Sequence, residues 1–164
     1  MKRFLMVFAI LVMSLMTVPC LAITDEQRVA ITEHCESIKK DLKNVQKNDA
    51  KARVSLGGAY ETILSKFIMP MNVRLVENNL SNAKLVENQN KFAEAKTVFS
   101  NDYINYQQGL EELVAMDCKK EPDGFYEKLT KVRQRRKTME QDVLKMRNLI
   151  ADHMKLITGL MEKV

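Results

Sequence analysis

From Phe125 to the end of the chain, one stripe of positions recurs four and three residues apart without a slip. It runs Phe125, Leu129, Val132, Arg136, Met139, Val143, Met146, Ile150, His153, Ile157, Leu160 and Val164, and ten of these twelve are apolar. A strict 3-4 alternation keeps one face of a helix turned toward a partner helix along its whole length, as in a coiled-coil seam. The spacing predicts a single helix over 124–163, about 60 Å long at 1.5 Å per residue, with Asp123 as its N-cap after Pro122. Such a stripe demands a helical neighbour. Only five Gly and three Pro occur in 164 residues, too few turn-formers for a β-sandwich or a doubly wound nucleotide-binding fold.

The neighbour is close at hand. Between 83 and 117, Leu85, Phe92, Phe99, Tyr106 and Leu113 stand seven apart, with Tyr103, Leu110 and Asp117 at a second position over the latter half. The short link Cys118 to Asp123 predicts antiparallel packing on the last helix. A turn at 121 opposes Leu113 to Leu129, Leu110 to Val132, Phe99 to Val143, Phe92 to Ile150 and Leu85 to Ile157. It also sets Arg136 against Tyr106, His153 against Gln89, Glu111 against Lys131 and Glu112 against Thr130.

A first arm opens with Thr24-Asp25-Glu26-Gln27, a capping box with acids in the first turn. Ile31, Cys35, Ile38, Leu42 and Val45 continue the alternation, and Ala52 and Leu56 rejoin it after Asp49. Gly57-Gly58 predicts a break or kink, and Pro70 bends the amphipathic stretch formed by Tyr60, Ile63, Leu64, Phe67 and Met71 to Val76. Asn78 to Asn82 reads as a loop. The expected fold is all-α: three long antiparallel helices with coiled-coil-like packing, the first kinked or broken near 57–58 and 70.

The first 22 residues read as an address. Lys2 and Arg3 precede Phe4 to Met16, in which only Ser14 is polar, and Pro19 and Cys20-Leu21-Ala22 supply a cleavage site after Ala22. The competing reading keeps the segment as a membrane anchor. Removing 22 residues from 164 leaves a mature domain of 142, 23–164, expected to be soluble outside the cytoplasm, secreted or periplasmic. Cys35 and Cys118 remain, an even count that predicts a disulfide in an oxidising compartment; two buried free thiols are the alternative. A hairpin turning near residue 80 pairs residues whose numbers add to about 160, whereas these two add to 153. A kink or local break at Gly57-Gly58 or Pro70 absorbs such an offset.

Chemistry is sparse. Lys131, Arg133, Arg135, Arg136 and Lys137 place five cations within seven residues, a possible polyanion site. Successive helical residues point about 100° apart, however, so the run wraps the helix and reads first as a solvated face. Lys39, Lys43, Lys47 and Lys51 drift around their helix in the same way, with Asp41 and Asp49 diluting them. His34 and His153 are the only histidines, with no Glu-x-x-His or His-Glu-x-x-His. Glu33-His34-Cys35-Glu36 offers metal-ligand types, but consecutive helical residues do not converge on one ion. His153 on the seam reads as a hydrogen-bonded interior histidine able to sense pH. The methionines read as core fillers, with Met69 and Met71 beside Pro70 also suited to an adaptable groove. Asn79-Leu80-Ser81 matches a glycosylation triplet that is frequent by chance. No catalytic, cofactor or metal site is expected.

Asp49-Ala50-Lys51-Ala52-Arg53-Val54-Ser55-Leu56-Gly57, followed by Tyr60-Glu61-Thr62-Ile63-Leu64, resembles uncharacterised secreted helical proteins of ultrasmall candidate-phylum bacteria. The resemblance covers most of the mature chain and includes a cysteine near positions 35 and 118; it implies a bacterial origin and no activity. The chain is also similar to small periplasmic chaperones with long helical arms, but lacks a strand pattern for the β-containing body through which those oligomerise. The expected function is non-enzymatic: a structural or interaction protein presenting long helices to a protein or envelope partner. A holdase-type chaperone and a polyanion or membrane-surface binder are the alternatives. Homo-oligomers are open to it, nucleic acid is not an expected partner, and membrane contact is expected only through an uncleaved signal segment.

Overall fold

The structure, a computed structural model, describes residues 23–80 and 82–162. The leader segment 1–22, Ser81 of the glycosylation triplet and the last seam position, Val164, lie outside them. The described chain is all-helical: α1 Asp25–Glu33, α2 Cys35–Thr62, a π-helical turn Ile63–Ile68, α3 Met69–Glu77, α4 Ala83–Ala115 and α5 Pro122–Met161. No helix among the described residues is long and apolar enough to cross a membrane.

The most extensive packing joins α4 to α5. Leu85, Phe92, Phe99, Tyr106 and Leu113 are all buried, as are Phe125, Val132, Met146 and His153 across from them. Glu112 pairs with Lys128, Arg135 Nη1 donates to the Asn105 carbonyl at 2.7 Å, and His153 Nδ1 meets Asn88 Oδ1 at 3.1 Å. These partners differ slightly from the expected ones. Asn88, not Gln89, faces His153, and Lys128 takes Glu112 while Lys131 pairs with Glu127 on its own helix. Asp117 is no seam residue either; its carboxylate accepts from the Lys119 and Lys120 amides in the turn. Asp123 does not cap α5, which starts at Pro122 with Glu121 at the N-cap. Its carboxylate accepts instead from Arg28 Nε at 3.0 Å, tying α1 to the first turn of α5.

The first arm departs further from expectation. The Thr24 capping box forms, with reciprocal bonds between Thr24 and Gln27. The helix then breaks at His34, where neither Gly nor Pro stands. It does not break at Gly57-Gly58: α2 runs through both, and neither glycine has a positive φ. Glycine weakens a helix by about 1 kcal/mol relative to alanine without forbidding it, and flanking turns carry it through. The second irregularity lies just before Pro70. A proline ring clashes with the carbonyl four residues back and offers no N–H. The π turn widens the spiral there, and the Met69 N–H reaches back five residues to the Leu64 carbonyl. Because a π turn takes up an extra residue, the buried positions become Tyr60, Leu64, Ile68 and Asn72, four apart. Phe67 and Met71 are turned outward by the same insertion, against expectation.

Two apolar clusters follow one another along the molecule. One gathers Ile31, Cys35, Tyr106, Leu113, Cys118 and Phe125 near the α4–α5 turn. The other packs Tyr60, Leu64, Phe92, Phe99 and Met146, with Tyr60 edge-on to both phenylalanines. Cys35 and Cys118 lie at disulfide distance, Cα to Cα 5.6 Å. The first arm is therefore fastened near both ends. Between Cys35 and Tyr60, α2 has no fully buried residue. At the other end Asn79 takes φ 58°, a left-handed conformation asparagine tolerates better than most residues, and Asn82 caps α4 by accepting from the Lys84 amide at 2.9 Å.

Candidate functional site

The lightly buried middle of α2 rests on α4 and leaves a groove of about 420 Å³ between itself and α5. Phe99 and Tyr103 of α4 form its floor; Ala52 and Leu56 stand on the α2 wall, and Met139, Val143 and Leu144 on the α5 wall. The lining surface is mostly apolar, and the charged residues Asp49, Arg53, Arg136 and Glu140 also border it.

At one end the groove is bridged by a charge cluster. Asp49 Oδ2 accepts from the Tyr106 hydroxyl at 2.7 Å and from Arg136 Nε at 3.0 Å, and Asp49 Oδ1 accepts from Arg136 Nη2 at 3.2 Å. The Asp49 side chain is 16% exposed and that of Arg136 50%. Burial, reinforced by the bond to Asp49, holds the Tyr106 phenol far above its ordinary range, so it stays a donor. The bond to Asp49 likewise raises the Arg136 guanidinium against the cost of its partial burial. The expected Arg136–Tyr106 meeting thus includes a third residue, Asp49, which lies among the lysines of α2. Its signal was present. Asp49 continues the 4-3 stripe between Val45 and Ala52, and Arg136 occupies a seam position of α5. Opposite charges on two facing stripes mark an ion pair bridging helices.

The basic run is only partly available to a partner. Arg136 is engaged with Asp49, Lys131 with Glu127, and Arg135 with the Asn105 carbonyl. Arg133 and Lys137 are exposed and make no ion pair with any described residue. Of the α2 lysines, Lys39 is half-buried and donates to the Met116 carbonyl at 3.1 Å, closing the C-terminal end of α4; Lys43, Lys47 and Lys51 are exposed. The Cys35 sulfur faces Cys118, so the Glu33-His34-Cys35-Glu36 run does not present a thiolate to a metal. No group of three or more potential ligands gathers among the described residues.

A second surface lies on α3. Met69, Val73 and Val76, spaced four and three, face solvent on one side of the buried Ile68 and Asn72, and Phe67 and Met71 are exposed on the other side. Met69 and Met71 are not core residues, and neither are Met154 and Met161; Met146 is. Comparison with protein-family models, with curated proteins and with solved structures finds no match to this chain.

Proposed function

We propose that this chain is an extracytoplasmic, non-enzymatic helical protein that works by presenting helix surface to a protein or envelope partner. The observation that carries the reading is the outward apolar stripe of α3, since a contiguous exposed apolar face on a folded protein marks an interaction site. In this reading the three arms form an antiparallel bundle, with the first arm deflected at the π turn. Rising residue numbers on α4 meet falling ones on α5 and on the first arm, which supports that arrangement. Cleavage after Ala22 delivers residues 23–164 to an oxidising compartment, and the paired cysteines fit it. The resemblance to secreted bacterial proteins gives an envelope as the setting.

A holdase-type chaperone is the second reading, favoured by the exposed Phe67 and, four residues on, the soft, exposed Met71. Polyanion binding has less support, because three of its five cations are engaged. Val73→Ser with Val76→Ser, both at exposed sites, separates these. The double variant keeps the wild-type circular dichroism and melting temperature. It loses cross-linking to a stoichiometric envelope partner, or, for the holdase, suppression of client aggregation. Turnover of a hydrolase substrate that disappears on replacing one polar residue overturns the non-enzymatic reading.

A further inference from the structure

The groove between α2 and α5 is distinct from the α3 stripe and has the attributes of a ligand site. Its volume, about 420 Å³, falls in the range of small-molecule sites. It is open to solvent, and its walls run for about two helical turns each, Asp49 to Leu56 on α2 and Arg136 to Leu144 on α5. Closure of α2 onto α5 would eliminate it, but α2 rests on α4 instead and is fastened near Cys35 and at Tyr60. Between those points the α2 wall carries a small residue, Ala52, that leaves the space beside it unfilled.

The rim says what chemistry fits. Asp49 is consumed by Arg136 and Tyr106, and Glu140 lies 4.0 Å from the same Arg136. Arg53 differs. Its guanidinium sits 5.2 Å from the centre of the Tyr103 ring and makes no ion pair with any described residue. The aromatic face holds the cation at the mouth of an apolar trough without neutralising it.

We propose that the groove binds a single-chain anionic amphiphile of the long-chain carboxylate type, its alkyl chain over Phe99, Leu56, Val143 and Leu144 and its head group on Arg53. The apolar floor supplies affinity by shedding water, and the positioned guanidinium selects an anionic end. An apolar peptide helix is the competing occupant, and it would need no charge at Arg53.

The test titrates the full mature chain with a fluorescent long-chain fatty acid and, separately, with its uncharged alcohol analogue. Saturable one-to-one binding of the acid is expected, with the alcohol weaker. Arg53→Glu and Leu144→Asp change exposed side chains and should keep the wild-type melting temperature. Each is expected to weaken the acid by about tenfold or more, whereas Arg133→Glu, outside the groove, leaves it unchanged. Absence of saturation overturns the proposal, as do equal affinities for acid and alcohol or insensitivity to both groove variants. A photo-reactive side chain at position 144 gives the last check in cells: a lipid adduct supports the assignment, and a protein adduct alone overturns it.

Discussion

At the scale of single residues, the polar groups inside this apolar molecule set its sensitivities. His153 is 3% exposed, its Nδ1 donates to Asn88 Oδ1, and Asn88 Nδ2 donates in turn to the Leu149 carbonyl. Nε2 is buried with no partner among the described residues, so a second proton there would have no acceptor. Burial accordingly lowers the His153 pKa from its ordinary value. A base whose folded pKa is depressed is bound by fewer protons in the native state than in the unfolded one. Its contribution is full above about pH 6.5 and is lost as pH falls through that value toward the lower folded pKa. Urea unfolding from pH 7.5 to 5 should show that loss, and His153→Gln should flatten the profile. Asp142 acts in the opposite sense: burial, then the neighbouring Asp102, raises its pKa, so it weakens the fold as pH rises through the carboxylate range. The interior place of His153 was legible from its seam position; its partner shifted by one residue because periodicity resolves a face and not a hydrogen bond.

At the scale of elements, α4 and α5 were legible as two continuous helices, because each carries a regular stripe of buried apolar residues, although individual partners across them differ from the expected ones. The first arm was not. Local cues there, two glycines and a proline, pointed to interruptions at 57–58 and 70, whereas the helix is interrupted at His34 and over Ile63–Ile68. Glycine lowers helix propensity but leaves the hydrogen-bond ladder intact, so tertiary packing decides. Proline does break the ladder, and the chain answers upstream by widening a turn. A Cβ built on Gly57 or Gly58 meets nothing within 4 Å. Gly57→Ala and Gly58→Ala should therefore each stabilise the protein by about 0.5–1 kcal/mol, read as a rise in urea midpoint at unchanged slope. A fall in stability for either would mean that α2 depends on a distortion at this point. The groove was the least legible element of all, since it arises from how far α2 stands from α5, a distance no stripe encodes.

At the scale of the whole molecule, the core is divided between two apolar clusters, and a covalent fastening matters accordingly. Cys35 and Cys118 are separated by 83 residues. For a closed loop of that length the chain-entropy model gives a stabilisation of about 4–5 kcal/mol. Cys35→Ser with Cys118→Ser, or reduction in mild denaturant, should lower the melting temperature by several degrees and loosen α1 and the start of α2 first, visible as faster amide exchange there than in α5. The offset that stood against this pairing is absorbed gradually. Partners on the first arm and α4 add to 161 for Asn72–Gln89, 157 for Glu61–Lys96, 155 for Asp49–Tyr106 and 153 for the cysteines. The extra residue of the π turn accounts for part of that drift.

The same sulfur link decides how the molecule carries mechanical load. A pull on the two ends of the chain passes from α1 across the two sulfurs into the α4–α5 turn and out along α5. The stretch between the cysteines, 83 positions from one to the other, feels no tension. About 280 Å of slack, at roughly 3.4 Å per extended residue, is thereby locked away. It pays out only where a reductant opens the clasp, so a tether built from this chain would have its reach set by thiol chemistry before its folding energy came into play.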